Sequence, residues 1–391
     1  MKKHIYCLIL AIALLGCAPI ERDYLALHRK ALVADMHSDT VLRMKNGTDI
    51  SLRGDEGHMD IPRLQEGGVD LQVFACWINT DTERDSCRPK IDLLIDTLEA
   101  AADRHSEAMA ICRTAGDAES AIASGKIAAV LGIENGVAIA GDLDNIKHYY
   151  ERGVRYMTLT HTASSEWVTS SADTAPAFDG LTDFGRDVVR TMNELGMIVD
   201  ISHASVEAVE QVLKVATAPL IASHSGVHAI YEHDRNLTDE QIKAVAANGG
   251  VIGVIFYNGY ISTEFADLAD SLWGLHRAEF DSLKALYADN DSLYRVARKP
   301  LRDSIYAQLE GIVDVGTVVD HIDYIVKLVG PDYVGLGSDY DGVPSMPSGL
   351  DDCSMMPNLT KELIVRGYSD EDIGKILGGN FMRVFKQVCG G

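Results

Sequence analysis

The sequence predicts an α/β protein, a (β/α)₈ TIM barrel with a helical insertion after the seventh strand. Eight short apolar runs rich in β-branched residues alternate with segments of helical length. Most runs are apolar on both faces, as in parallel strands that are covered by helices. Side chains that bind metals follow most of these runs, at the face where barrel enzymes place their active sites.

The eight predicted strands are distributed along the whole chain. They span residues 31–36, 69–76, 127–133, 154–159, 197–201, 220–222, 251–256 and 333–336. An open doubly wound sheet is the alternative, but no Gly-x-Gly-x-x-Gly motif follows the first strand. Eight units of strand and helix therefore favour the closed barrel.

Helices are predicted between the strands. They span residues 89–109, 145–152, 181–195, 205–215, 239–247 and 315–329, and a short helix over 24–29 is expected to pack on the base of the barrel. Thr238 and Gln241 form a capping-box pattern, and Gly196 lies just past a helix end. The segment at about 261–311 predicts a helical insertion over the carboxyl-terminal face of the barrel. Its role as a lid or as an oligomer contact stays open.

The first 16 residues have the pattern of a signal peptide. Lys2 and Lys3 precede an apolar run that is too short to span a bilayer stably. The run ends in Leu14-Leu15-Gly16-Cys17, which resembles the lipobox of bacterial lipoprotein signal peptides. We therefore expect a lipoprotein signal peptide over 1–16, lipidation of Cys17 and a single barrel domain over 17–391. An ordinary secretory signal cleaved near Ala18 is the alternative.

The composition of the chain disfavours one class of partner and indicates where the protein is located. The net charge of −23 over 391 residues disfavours binding to nucleic acid. No later segment is apolar for 18 residues, so we expect the exported protein to be anchored by its lipid to a bacterial membrane, on the periplasmic or cell-surface face. Beyond Cys7 and Cys17, five cysteines without Cys-x-x-Cys spacing remain, and their pairing stays open.

Six of the eight predicted strands end near a histidine or a carboxylate. These ends read Asp35-Met36-His37-Ser38-Asp39, Leu131-Gly132-Ile133-Glu134-Asn135-Gly136, Thr158-Leu159-Thr160-His161, Asp200-Ile201-Ser202-His203, Ala222-Ser223-His224-Ser225 and Gly337-Ser338-Asp339-Tyr340-Asp341-Gly342. The chain has 13 histidines and 58 acidic residues among 391 residues. These are too few for chance to place one of them at six of the eight strand ends. The strand ends therefore predict a polynuclear metal site.

Five of these side chains form two sets of imidazole and carboxylate ligands. They are His37, Asp39, Glu134, His203 and His224. A carboxylate can bridge two ions that lie about 3.5–4 Å apart, and such a pair lowers the pKa of a shared water toward about 7. Hydroxide at neutral pH is a hydrolytic nucleophile, so this set predicts a metal-dependent hydrolase.

The same motifs resemble those of the membrane or renal dipeptidases, which form peptidase family M19 of the amidohydrolase-like di-zinc barrels. The opening Asp-Gly-His-Asn-Asp of that family is similar to residues 35–39, and its Glu-Gly-Gly run is similar to residues 134–136. Its Asp-(Leu/Ile)-Ser-His, Ser-His-Ser and Gly-Ser-Asp-(Phe/Tyr)-Asp-Gly runs match residues 200–203, 223–225 and 337–342. Arg235-Asn236 and the run at 378–385 match two further motifs.

The resemblance implies a zinc-dependent dipeptidase with two Zn²⁺ per chain. His37 and Asp39 would bind one ion, His203 and His224 the other, and Glu134 would bridge them. A homodimer is also implied.

The resemblance assigns roles to four further residues. His161 would contact the scissile carbonyl oxygen, and Arg235 would bind the carboxylate of the dipeptide substrate. Asp339 would act as general base and then general acid, and Tyr257 would contact substrate. Asp234 departs from the family pattern, and a carboxylate beside Arg235 would weaken its hold on substrate.

Two other functions compete with the dipeptidase. A cyclic-amide or nucleobase hydrolase of the amidohydrolase group usually begins with His-x-His and carries a bridging lysine, whereas this chain has His37-x-Asp39 and Glu134. A non-catalytic peptide-binding lipoprotein would show an altered ligand, but all five are intact.

Overall fold

A computed structural model describes residues 22–390, so the predicted signal peptide and Cys17 lie outside the described residues. Nine parallel strands are present in this part of the chain. They are β1 (Ala34–Asp35), β2 (Leu71–Trp77), β3 (Met109–Ile111), β4 (Ile127–Glu134), β5 (Val154–Thr158), β6 (Ile198–Asp200), β7 (Ile221–Ser225), β8 (Val251–Ile255) and β9 (Val334–Gly337).

Eight of the strands close into a barrel, as the sequence predicts. Neighbours pair in the order β1-β2-β4-β5-β6-β7-β8-β9, and β9 pairs back with β1. The extra strand β3 pairs with the first residues of β4, Met109 opposite Ile127. It occupies the place where the sequence predicts the end of a helix over 89–109, because the chain leaves the helix at His105 and turns back toward the barrel.

Helices cover the outside of the barrel, close its amino-terminal end and form the insertion. They are α1 (Tyr24–Lys30), α2 (Thr40–Lys45), α3 (Ile61–Glu66), α4 (Arg84–Arg104), α5 (Ala115–Ala123), α6 (Asp144–Arg152), α7 (Asp183–Leu195), α8 (Val206–Val215), α9 (Asp239–Ala247), α10 (Asn258–Ile261), α11 (Thr263–Leu275), α12 (Arg277–Leu286), α13 (Asp291–Leu309), α14 (Val315–Val329), α15 (Pro357–Val365), α16 (Asp370–Gly374) and α17 (Asn380–Cys389). The capping box of Thr238 and Gln241 is formed at the start of α9. Gly196 ends α7 in a left-handed conformation.

The barrel is sealed at its amino-terminal end. Phe381 and Phe385 of α17 stack with ring centroids 5.8 Å apart, and they pack with buried residues at the starts of the strands, such as Leu71 and Val251. Both phenylalanines are almost fully buried. The carboxyl-terminal ends of the strands are therefore the side on which the interior of the barrel opens to a cavity.

The predicted insertion is helical and follows the seventh strand of the barrel, β8. It consists of α10, α11, α12 and α13, which lead into α14. Phe265, Ile305 and Leu309 anchor it, since each is at most 2% exposed. Across the described residues, no helix combines the length and the apolar character needed to cross a membrane.

The cysteines do not form disulfides in the described part of the chain. Each of the five is a buried free thiol: Cys76, Cys87, Cys112, Cys353 and Cys389. Burial raises the pKa of the Cys112 thiol to about 12, so this sulfur is held as an unreactive thiol.

Candidate metal centre

The five predicted metal ligands meet at the carboxyl-terminal ends of their strands. His37 and Asp39 follow β1, Glu134 is the last residue of β4, and His203 follows β6. His224 lies within β7, which extends to Ser225, three residues beyond the predicted strand end. Ligand atoms of these residues, with His161 and Asp339, form three overlapping groups, each within 4.8 Å: His37, Glu134 and His224; Glu134, His161 and His203; His37, Asp39 and Asp339.

Glu134 lies between two sets of ligands. Its Oε1 is 3.1 Å from Nε2 of His203 and 3.5 Å from Nε2 of His224. Its Oε2 is 3.6 Å from Nε2 of His37, which is in turn 3.8 Å from Oδ2 of Asp39. One carboxylate oxygen therefore faces each set, the arrangement that a bridging ligand requires.

The protonation states suit ligands of a cation. Burial lowers the pKa of His203 and of His224 well below the ordinary value, so both imidazoles are neutral and keep a lone pair. Burial opposes ionisation of Glu134, but His37 and His161 outweigh it and hold the pKa of this carboxyl well below its usual range. Burial also opposes charge on His37, yet Tyr156 and Glu134 raise its pKa, so that a proton and a metal compete for its Nε2.

The donor set fits a divalent metal. His37 Nε2 and Asp39 Oδ1 are buried, and neither atom has a hydrogen-bond partner among the described residues. Buried polar atoms are ordinarily hydrogen-bonded, so unpaired ones at a point of convergence indicate a missing partner. Imidazole nitrogens with carboxylate oxygens are ligands that zinc accepts.

Two of the histidines are oriented through their other ring nitrogen. The hydroxyl of Tyr156 lies 2.8 Å from Nδ1 of His37, which leaves Nε2 facing the carboxylates. The ring of Tyr156 fits because residue 132 is glycine, where an added Cβ would come within 2.6 Å of it. The sequence gives no sign of this role for Tyr156, since an aromatic residue within an apolar strand has the same pattern as an ordinary core residue.

His224 is oriented by a second hydrogen-bonded pair. Its Nδ1 lies 2.8 Å from Oγ of Ser223, and this hydroxyl donates to Oδ2 of Asp200 at 2.6 Å. Asp200 is fully buried and also accepts the backbone N–H groups of Ser202 and Ser223. Hydrogen bonds of this kind set the tautomer and orientation of a metal-binding histidine. Asp200 and Ser223 belong to the motifs read from the sequence, but their contacts required the structure.

The backbone is unusual beside the ligands. Asn135, His203, Asp339 and Asp341 adopt positive φ angles of 87°, 67°, 60° and 68°. Non-glycine residues rarely adopt this left-handed region, and such strain concentrates at functional sites. Here it turns the chain sharply at the ends of β4, β6 and β9.

A cavity of about 350 Å³ opens above the ligands. The predicted residues His161, Asp339 and Tyr257 line it, together with Trp77 and Tyr260. Nε2 of His161 is 3.9 Å from Oε1 of Glu134, and Oδ1 of Asp339 is 4.0 Å from Nε2 of His37. Both predicted catalytic side chains therefore lie beside the ligands, within reach of a substrate in the cavity.

Arg235 is not among the residues that line this cavity. Its side chain is buried, and Nη2 donates to the carbonyl oxygen of His224 at 3.0 Å. Its Nε has no hydrogen-bond partner among the described residues. Asp234, the departure from the family pattern, is exposed, and no carboxylate of residues 22–390 lies within 4.0 Å of the Arg235 guanidinium. The guanidinium is therefore not neutralised by a neighbouring acid.

The chain is similar to known dipeptidases over nearly its whole length. The family model described as membrane dipeptidase (peptidase family M19) matches residues 21–389. The mouse protein Dipeptidase 3 is 31% identical over 380 residues, which cover 94% of this chain and 67% of the relative.

Solved structures share the fold. The probable dipeptidase PvdM of Pseudomonas aeruginosa is 28% identical with a TM-score of 0.78, and the match covers 94% of this chain and 97% of that one. A metallopeptidase from Rhodobacter sphaeroides, solved with a phosphinate mimic of the dipeptide L-Ala-D-Ala, is 22% identical with a TM-score of 0.74 over 92% of this chain and 99% of that one. Fold, donor set and family match agree: the chain belongs to peptidase family M19, the membrane dipeptidases, and is a metallopeptidase that acts on dipeptides.

Proposed function

We propose that this dipeptidase works with two Zn²⁺ held by five residues. The ligands in this proposal are His37 and Asp39 on one side, His203 and His224 on the other, and Glu134 between them. The observation that carries the proposal is the position of Glu134, whose two oxygens face the two ligand sets at 3.1–3.6 Å. When bound, the ions supply Lewis acidity and lower the pKa of water, the nucleophile of peptide hydrolysis.

Asp339 is the proposed general base and general acid. It takes a proton from the attacking water and delivers it to the leaving amine of the dipeptide. Burial, and after it the negative charges of Asp39 and Glu134, raise the pKa of Asp339 well above the ordinary value. A raised pKa supports this role, because the same carboxyl group must both accept and release the proton near neutral pH.

His161 is the proposed stabiliser of charge on the scissile carbonyl oxygen. Burial lowers its pKa, so the ring is neutral. Oγ1 of Thr162 lies 3.2 Å from Nδ1, and when this hydroxyl donates, Nε2 carries the proton. That N–H then faces the side of the cavity where Glu134 lies, and it can donate to an oxygen that gains negative charge.

Arg235 is the proposed anchor of the substrate carboxylate. Its buried Nε lacks a partner among the described residues, and its guanidinium lies 5.6 Å from the ring centroid of Tyr260. A planar guanidinium binds carboxylates through two parallel hydrogen bonds. Tyr257, which lines the same cavity, is the proposed aromatic contact for the substrate.

The test of the proposal is metal analysis of the purified protein together with assays on L,L and L,D dipeptides. We expect close to two zinc equivalents per chain, hydrolysis of dipeptides but not of tripeptides, and loss of activity with a chelator that zinc restores. A preparation with less than one metal equivalent and no activity after zinc addition would refute it. Hydrolysis of cyclic amides or nucleobases in place of dipeptides would favour the wider amidohydrolase group.

We also propose that residues 1–16 are removed, that residues 17–391 remain as one domain, and that Cys17 carries the lipid that anchors the exported protein to a bacterial membrane. The support is the lipobox-like run that ends at Cys17. Mass spectrometry of the membrane fraction should find acyl groups on Cys17, and Cys17→Ala should release the protein into the soluble fraction. The homodimer implied by the family resemblance is tested by sedimentation equilibrium.

A further inference from the structure

The proposed general base Asp339 lies in a strained turn that follows β9. Asp339 and Asp341 have φ angles of 60° and 68°, in the left-handed region that non-glycine residues rarely adopt. The N–H of Gly342 donates to the carbonyl oxygen of Asp339 at 3.1 Å and closes the turn. A Cβ added at residue 342 would clash with Oδ1 of Asp339 and with Oδ2 of Asp39. The turn therefore packs against both carboxylates, and a shift of the turn would move Asp339 relative to the proposed ligand Asp39.

The side chain of Asp341 is fully buried, and both of its oxygens accept hydrogen bonds. Oδ2 accepts from Oγ1 of Thr40 at 2.8 Å, and Oδ1 accepts the backbone N–H of His58 at 2.7 Å. Nη1 of Arg43 lies 3.1 Å from Oδ1 and 3.0 Å from Oδ2. The backbone N–H of Asp341 in turn donates to Nδ1 of His58 at 2.9 Å. We call Thr40, Arg43, His58 and Asp341 the Asp341 clamp.

Two members of the clamp belong to the helix that begins at a proposed metal ligand. Asp39 is the N-cap of α2, and Thr40 and Arg43 follow it on that helix. Residues three apart lie on the same face of a helix, so both side chains can reach Asp341. The clamp therefore joins the start of α2, which carries Asp39, to the turn over 339–342.

Arg43 is held at both nitrogens of its guanidinium. Nη1 contacts Asp341, and Nη2 donates to the carbonyl oxygen of Glu56 at 2.6 Å. The Arg43 side chain is 23% exposed, and its carboxylate partner is not exposed at all. Removal of one partner of such a pair leaves the other charge uncompensated. The pair therefore keeps the Asp341 carboxylate in one position.

We propose that Asp341 is a positioning residue for peptide hydrolysis, which acts by fixing Asp339 beside the metal ligands. Left-handed turns of non-glycine residues persist only where the surrounding contacts hold them, and the clamp supplies those contacts. The inference rests on the proposed function in taking Asp339 as the general base. Asp341 is not a catalytic residue, because its carboxylate is buried against Thr40, Arg43 and His58.

The proposal predicts a specific kinetic signature for Asp341→Asn. The amide keeps the size of the side chain, removes the charge opposite Arg43 and places an NH₂ group where donors already point. A misplacement of about 1 Å can cost on the order of 100-fold in rate. We expect kcat for dipeptides to fall by about 10- to 100-fold. KM and zinc content should stay close to the wild type, because Arg235 and the five proposed ligands are retained.

The experiment compares Asp341→Asn, Asp339→Asn, the double variant and Asp92→Asn. Asp92 is the matched control, because its carboxylate also contacts an arginine and a histidine, at a place away from the cavity. Its Oδ1 lies 3.0 Å from Nη1 of Arg152 and 2.8 Å from Nε2 of His148. Steady-state kinetics on dipeptides, zinc content and thermal melting are measured for each variant, so that a loss of stability alone is distinguished from a loss of kcat.

Three further variants weaken the clamp while the Asp341 carboxylate stays in place, and they decide the question if Asp341→Asn does not fold. Thr40→Val removes one hydroxyl and keeps the branched shape, so kcat should fall by roughly 2- to 10-fold, the effect of losing one hydrogen bond. Arg43→Met removes the charge and should lower kcat further. Arg43→Lys restores the charge and should recover part of that loss.

If Asp341 acts through Asp339, the double variant has the kcat of Asp339→Asn alone, while Asp92→Asn has the kcat of the wild type. Wild-type kcat in the clamp variants would overturn the proposal, and so would effects that multiply in the double variant. A loss of zinc, or a rise in KM in place of the fall in kcat, would also overturn it. Full activity of Asp339→Asn would refute the proposed general base together with this inference. A large loss in Asp339→Asn with wild-type kcat in Asp341→Asn would refute this inference alone.

Discussion

The Nε2 atoms of His203 and His224 lie 2.9 Å apart, and Oε1 of Glu134 lies within 3.5 Å of both. Burial lowers the pKa of each histidine, so neither ring is held as a cation that would pair with the carboxylate. Ser223 contacts Nδ1 of His224, which directs the lone pair of Nε2 toward His203. Two lone pairs and a carboxylate oxygen that point at one another are arranged to share a cation.

The variant Glu134→Gln should therefore lose metal as well as activity. The amide keeps the shape of the side chain but removes the negative charge that faces both ligand sets. We expect the zinc content to fall below one equivalent per chain and kcat/KM to fall by roughly 1,000-fold, the effect of losing several kcal/mol of transition-state stabilisation. Elemental analysis of the purified variant measures this. His276→Ala, at a half-buried histidine of the insertion, should retain both metal and activity, and equal losses in the two variants would contradict the assignment.

Asp339→Asn should separate turnover from metal binding. The amide cannot accept the proton of the attacking water, so kcat should fall by about 100- to 10,000-fold. Metal content should match the wild type, because the five proposed ligands are untouched. Loss of metal in this variant would instead show that Asp339 is a metal ligand. The variant tests this alternative directly, because Oδ1 of Asp339 lies only 4.0 Å from Nε2 of His37.

Tyr156→Phe should weaken zinc binding through the orientation of His37. The hydroxyl that lies 2.8 Å from Nδ1 is removed, and nothing then fixes the tautomer of the ring. Loss of such a partner typically reduces metal affinity by about 10- to 100-fold. Competition with a chromophoric chelator measures the affinity. Tyr149→Phe is the matched control, since this buried tyrosine donates to the carbonyl oxygen of Ala138 instead, and an affinity loss of the same size in it would refute the role of Tyr156.

Arg235→Lys should raise KM for dipeptides by roughly 10- to 100-fold, because lysine keeps the charge but lacks the planar fork that pairs with a carboxylate. The measurement compares each dipeptide with its C-terminal amide. The wild type should strongly prefer the free carboxylate, and the variant should lose most of that preference. A variant that still discriminates between the two as the wild type does would place the carboxylate elsewhere.

The buried His321 should make the fold sensitive to acid. Its Nδ1 accepts the N–H of Val227 at 2.9 Å, its Nε2 lies 3.1 Å from the carbonyl oxygen of Ile261, and burial lowers its pKa to about 4. In the unfolded chain this pKa is about 6.5, so the unfolded state binds more protons between the two values. The free energy of unfolding should therefore decrease by up to about 3 kcal/mol as the pH falls from 6.5 to 4.

Urea unfolding at pH 7 and at pH 4.5 measures this effect. His321→Gln replaces both hydrogen-bonding groups without a titrating ring, so we expect a lower stability at pH 7 and a smaller loss on acidification. The same pH dependence in the variant and the wild type would show that other groups, such as the buried His28, are responsible.

The sequence by itself predicts the barrel fold and the candidate metal ligands of this protein. Apolar runs of strand length between helical segments predicted the eight-stranded barrel, because burial on both faces leaves a local pattern that each strand carries alone. The candidate metal ligands could be predicted from the sequence for a similar reason. In a barrel every strand ends at the same face, so His37, Glu134 and His203 could be placed together from their positions after strands.

Contacts between distant segments were decided by the tertiary structure. The sequence indicates that His37 is a ligand, but the hydroxyl that orients it comes from Tyr156, 119 residues away, and depends on the register of β5 beside Gly132. Side-chain partners of this kind follow from strand pairing and helix packing, which bring together residues that no local pattern relates.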